Sequence, residues 1–219
     1  RDCLLSRGLG DVYKRQALSW AAAGDEVFVA KGTYTGSFKL RAAAKVYGNC
    51  VGTETEPPTY TTAEGLETFL KGPGGKRVLY LDGKASEIYG LDISGGDAST
   101  ETTGVGRGGG VYINNGGATL KYCNIHDNIG VDGSKNILGS NGKALKGVGG
   151  GLYVLNGRLE NCIIENNIAT TAPWEDTSKT WSTGIGGGIC LDATEGNGCN
   201  PDNACLLYTS PSPRDKRQS

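Results

Sequence analysis

Three near-identical blocks, each led by three glycines, constrain the fold of this chain more than any other feature. Residues 108–113 read GGGVYI, residues 149–154 read GGGLYV and residues 186–191 read GGGICL. The first two blocks are each followed by a second matching stretch, in which Leu120, Cys123, Ile125 and Asn128 recur as Leu159, Cys162, Ile164 and Asn167. A fainter copy precedes them. Leu79-Tyr80-Leu81 matches Val111-Tyr112-Ile113, and the same offset places Ile88, Leu91 and Ile93 on Leu120, Cys123 and Ile125. Successive copies start 32, 41 and 37 residues apart. Repetition at this scale means one supersecondary unit stacked on itself.

Strands of three to five residues cannot bury an apolar face alone. If each repeat is one turn of a coil, its strands pair with those of the next turn about 4.8 Å away, and alternate side chains point inward. Val111 and Ile113 are then expected to stack on Leu152 and Val154, flanked by Leu79 and Leu81 on one side and Ile189 and Leu191 on the other. Tyr80, Tyr112 and Tyr153 form a ladder on the opposite face. Upstream, residues 17–23 (ALSWAAA) are rich in helix formers and stop at Gly24, which predicts a short helix. In that helix Trp20 is expected to pack. Residues 25–29, 37–40 and 45–47 read as strands, residues 32–34 as a turn and residues 53–67 as a loop. Three variable inserts, residues 96–107, 129–148 and 168–185, interrupt the repeats and are expected to leave one corner side by side.

Glycine-led strands, an N-x-I step and a closing asparagine resemble right-handed parallel β-helix proteins of the pectin-lyase-like superfamily. Within it the chain is most similar to surface repeats of the polymorphic outer-membrane-protein type, whose GGAI and FxxN motifs read here as GGGV with Ile125-His126-Asp127-Asn128, and as GGGL with Ile164-Glu165-Asn166-Asn167. The resemblance implies an all-β fold, a single right-handed parallel β-helix (solenoid) with a short N-terminal capping helix. It also implies an exported or cell-surface location.

The two ends read differently. Residues 6–16 (SRGLGDVYKRQ) and 205–215 (CLLYTSPSPRD) resemble translations of a sequencing-library transposon adapter, since one adapter DNA and its reverse complement encode both. Residues 1–16 and 205–219 are therefore expected to be adapter-derived tails, and residues 17–204 the β-helix, truncated at its C-terminal end. That span keeps 15 basic and 20 acidic residues, a net charge near −5. It offers no basic footprint for nucleic acid. No apolar run approaches the roughly 20 residues of a membrane-spanning helix.

Each candidate site residue also has a packing role open to it. Asn128 and Asn167 fit an asparagine ladder, amides bonding along the stack. Cys123 and Cys162 fit buried free thiols, because no C-x-x-C pair points to zinc. Cys190 and Cys199 are the better disulfide candidate for an exported protein. His126, the only histidine, has Glu165 as its counterpart and is expected to be exposed and interchangeable. No metal or cofactor is expected.

The inserts are the most promising surface, since loops longer than about 12–15 residues are uncommon without a role. They carry Arg107, Lys135, Lys143, Trp174, Glu175, Asp176 and Trp181. Trp174 and Trp181 are suited to stacking on sugar rings or on a surface protein. The leading expectation is a noncatalytic, adhesin-like or glycan-binding protein. A polysaccharide lyase or glycoside hydrolase is the alternative, and a structural spacer the third. A lyase needs a basic residue clustered with calcium-binding carboxylates, and a hydrolase needs two acids about 5–9.5 Å apart. Outside the inserts no Asp or Glu recurs at equivalent positions; Asp92 aligns with Asn124 and Asn161, one carboxylate among the three.

Overall fold

The computed structural model describes residues 18–82, 85–114, 116–135, 147–171 and 186–191, the side chain of Lys135 excepted. The two adapter-like segments lie outside the described residues. The chain runs through five passes of short strands. The first holds β1 (Glu26–Ala30), β2 (Gly32–Thr35) and β3 (Phe38–Leu40), and the second β4 (Lys45–Cys50), β5 (Thr68–Lys71) and β6 (Leu79–Leu81). The third holds β7 (Glu87–Tyr89), β8 (Asp92–Ser94) and β9 (Val111–Ile113). The fourth holds β10 (Ala118–Lys121), β11 (Asn124–His126), β12 (Ile129–Val131) and β13 (Leu152–Val154). The fifth holds β14 (Gly157–Glu160), β15 (Ile163–Glu165), β16 (Ile168–Thr170) and β17 (Ile189–Leu191).

Corresponding strands of successive passes pair in parallel. Sheet A runs β1-β4-β7-β10-β14, sheet B β2-β5-β8-β11-β15 and sheet C β3-β6-β9-β13-β17. The glycine-led repeats sit in sheet C in the expected register, with Leu79, Val111, Leu152 and Ile189 aligned, and Leu81, Ile113, Val154 and Leu191 beside them. These side chains join Val46, Ile88 and Leu120 of sheet A and Leu70, Ile93 and Ile125 of sheet B in one apolar cluster. Parallel sheets need this burial, and here all three share one core. The repeat also reaches further upstream than the glycines reveal. Phe38 and Leu40 pair with Leu79 and Leu81, so the first two passes belong to the same stack.

Single-residue corners turn the chain between sheets. Gly90, Tyr122 and Asn161 occupy left-handed conformations between sheets A and B, with φ of 62°, 52° and 51°. Gly95, Asp127 and Asn166 do the same after sheet B, with φ of 69°, 52° and 52°. The triple glycine answers a crowded approach at the start of sheet C. Gly108 is left-handed (φ 56°), and a Cβ on Gly109 would stand 2.1 Å from the Ile129 carbonyl oxygen. On Gly110 it would stand 2.7 Å from both Asn128 Nδ2 and the Gly151 oxygen. The third glycine thus makes room for the asparagine.

Four expectations need correction. Residues 32–34 are not a free turn but part of β2, held by parallel pairing to β5; tertiary pairing outweighs the local turn signal. Residues 129–131 and 168–170, counted with the inserts, are the paired strands β12 and β16. Trp20 is 73% exposed rather than packed. Of the described residues 18–23 only 18–20 are helical, and Leu18 and Ala21, three apart, take the inward side, which leaves Trp20 on the other face. Asn124 aligns with Asp92 and Ile163, not with Asn161, because one 39-residue offset joins β10, β11 and β12 to β14, β15 and β16.

Candidate functional site

The outward row of sheet C is Lys39, Tyr80, Tyr112, Tyr153 and Cys190, one residue per pass. The tyrosine rings stack at centroid distances of 5.3 and 5.0 Å. This ladder is buried although it points away from the core, because the first insert lies over it. Arg77 holds the insert down. Its Nε donates to the Gly108 carbonyl (2.9 Å), Nη1 to Thr103 (3.2 Å), and Nη2 to Gly104 (2.8 Å) and Arg107 (2.6 Å). Its backbone N–H donates to Glu101 Oε1. Burial lowers the Arg77 pKa to about 10 against the opposing pull of Glu101, so the guanidinium stays charged at neutral pH.

The roots of the inserts are themselves ordered from pass to pass. Asp97 pairs with Ile129, β12 with β16, and Arg107 with Val148, all in parallel. Side chains extend the pattern: the Asp132 N–H donates to Ser99 Oγ and the Gly133 N–H to Thr171 Oγ1. Arg107 places its guanidinium 5.0 Å from the Tyr153 ring centroid, capping the ladder. Of the other proposed contact residues, Lys135 ends the 3-10 turn Gly133–Lys135. Lys143, Trp174, Glu175, Asp176 and Trp181 lie outside the described residues. Cys190 is disulfide-bonded; Cys199 lies outside the described residues.

Below this corner runs the asparagine ladder. Asn128 Nδ2 donates to Asn167 Oδ1 (3.0 Å) and to the carbonyls of His126 (2.7 Å) and Ile93 (3.1 Å), while its Oδ1 accepts the Gly96 N–H (2.8 Å). Asn167 Nδ2 donates to the Ile125 carbonyl (2.8 Å). Cys123 and Cys162 are free, one pass apart. Burial pushes the Cys123 thiol up.

His126 departs from its expected exposed setting. Its side chain is 23% exposed and bridges Asp92 and Asp127 on the outward face of sheet B. A single sequence shows the alternation of His126 with Glu165 but not the neighbouring carboxylate of Asp92, which arrives from the previous pass. Sheet A presents a different outward face. Phe28, Tyr47 and Tyr89 stack, and Lys121 lies between Glu87 (3.4 Å) and Glu160 (3.6 Å). Tyr60, from the 53–67 loop, stacks on Tyr89 and Tyr122 and donates to the Gly48 carbonyl (2.7 Å). Among the described residues no group of three or more His, Cys, Asp or Glu side chains is arranged to hold a metal ion, and no helix is long and apolar enough to cross a membrane.

No protein-family model matches the chain, and neither curated proteins nor solved structures yield a significant match.

Proposed function

We propose that the chain is a right-handed parallel β-helix of the pectin-lyase-like type, serving as a noncatalytic exported or cell-surface protein that binds a glycan or a surface protein at its insert corner. The observation that carries this reading is the ordering of the insert roots. Three inserts spring from paired backbone on successive passes, and Arg77 anchors the first of them over the tyrosine ladder, so what they carry outward is presented from an ordered base. Rigid presentation is what a recognition surface needs, since it reduces the ordering cost of binding. Trp174 and Trp181 are the proposed anchors, with Arg107, Lys135, Lys143, Glu175 and Asp176 as polar partners.

One outward carboxylate, Glu87, favours the noncatalytic reading. Glu87 shares a hydrogen bond with Tyr89 and faces Lys121, which together hold it below the usual carboxylate range. A general acid of a glycosidase needs the opposite shift. The test is a glycan array and a surface-protein pull-down with the full chain and with a Trp174→Ala, Trp181→Ala double variant. Binding that the double variant loses is the expected result. Unchanged binding removes the proposed anchors, and release of unsaturated or reducing sugar from a polysaccharide moves the assignment to the lyase or hydrolase.

A further inference from the structure

The outward face of sheet B carries the one histidine of the chain. Lys71, Ser94, His126 and Glu165 stand in register on β5, β8, β11 and β15. His126 Nε2 lies 3.0 Å from Asp92 Oδ1 and 3.2 Å from Oδ2, across the strand boundary. Its Nδ1 lies 2.7 Å from Asp127 Oδ2. A neutral imidazole has one N–H and can donate to only one of these carboxylates; the imidazolium donates to both. The partners are held in place. The Asp92 side chain is 10% exposed and also accepts a hydrogen bond from Asn124 Nδ2 (3.0 Å). Asp127 occupies the left-handed corner (φ 52°) that follows β11.

We propose that Asp92, His126 and Asp127 form a proton-operated clasp between the third and fourth passes, closed while His126 is an imidazolium and open once it has released a proton to solvent. The charged groups facing the ring are Asp92 from β8, Asp127 from the adjoining corner and Glu165 from β15, with Lys71 of β5 beyond Ser94. Together with the imidazolium these groups carry a net charge of −1, and without its proton −2. Deprotonation also leaves one ring nitrogen's lone pair against a carboxylate. Burial opposes protonation of His126, but the bonds to Asp127 and Asp92 outweigh it and raise the pKa above its ordinary value. A raised folded-state value fixes the sign. The clasp's stabilisation is complete below about pH 6.5 and is lost as pH rises through the folded-state value. This device is independent of the binding reading.

Because there is a single histidine, its imidazole proton resonances in the full chain can be followed without assignment. The expected titration midpoint lies above pH 6.5 and falls toward it in Asp92→Asn and Asp127→Asn. The urea midpoint of the unsubstituted protein is expected to drop between pH 5.5 and 8.5, and His126→Gln to lose most of that drop. A resonance midpoint at or below pH 6.5 in the unsubstituted protein overturns the clasp, and so does a His126→Gln variant with an unchanged pH dependence. The titration of the unsubstituted protein decides the matter even if a variant fails to fold.

Discussion

The central carbon of the Arg77 guanidinium lies 4.6 Å from the Tyr112 ring centroid, while its nitrogens reach three carbonyls of the covering insert and that of Gly108. One buried side chain therefore joins the tyrosine ladder to the loop above it. Arg77→Met removes every side-chain donor and leaves those carbonyls buried, a loss of about 3 kcal/mol. Arg77→Lys keeps the charge but not the planar fork and is expected to recover little of it. Urea unfolding measures both. Proteolysis within residues 97–107 should quicken in step with the loss.

Asn128 serves both the corner and the ladder, and its removal strands the Gly96 N–H. Asn128→Ala is expected to cost about 3 kcal/mol, since each orphaned buried partner costs roughly 1–3 kcal/mol. Asn114 provides the control. Its amide bonds Asp82 at an exposed site, so Asn114→Ala should stay within about 0.5 kcal/mol of the unsubstituted protein. Equal losses in the two variants would place the stabilisation elsewhere.

Gly110 and Gly117 separate steric from conformational need. A Cβ on Gly110 would meet Asn128 Nδ2 and the Gly151 oxygen, both at 2.7 Å, whereas Gly117, at φ +69°, has open space around it. Gly117→Ala is expected to cost about 1–2 kcal/mol through backbone strain alone. Gly110→Ala should cost more, because backbone and ladder must both shift. Thermal melts of the two variants rank them, and the reverse order would contradict the crowding at Gly110.

Much of this stack was legible in the sequence, for a physical reason. In-register parallel pairing repeats the same environment at a fixed offset, so Val111, Leu152 and Ile189 carry similar residues, and Asn128 recurs as Asn167. Legibility failed where passes lack that identity. Phe38 and Leu40 share the inward alternation of Leu79 and Leu81, but no glycine block marks them. Arg77 carries no signal in the sequence, because most of its partners belong to an insert whose sequence does not recur. His126 conceals its setting for the same reason: comparing it with Glu165 says nothing about Asp92, which stands on the diagonal of the preceding strand. Trp20 needed the phase of a single helical turn. Of the proposed contact residues, only Arg107 has a described side chain, and that side chain caps Tyr153.

The thiols give a last prediction, in which chemistry follows position. Cys50 and Cys123 are both fully buried. Cys123 Sγ donates toward the Lys121 carbonyl (3.4 Å), and Cys50 Sγ toward the Tyr47 carbonyl (3.2 Å). Cys162, one pass nearer the end of the stack, is only half-buried. Reaction requires an accessible thiolate. Maleimide labelling of the native protein, mapped by peptide mass, should therefore modify Cys162 before Cys50 and Cys123, which should react only with global unfolding. Adding urea should bring the rates of all three together. Labelling of Cys123 as fast as Cys162 in the native state would mean that the fourth and fifth passes open locally, and the tight inward stacking of Leu120, Cys123 and Ile125 would have to be abandoned.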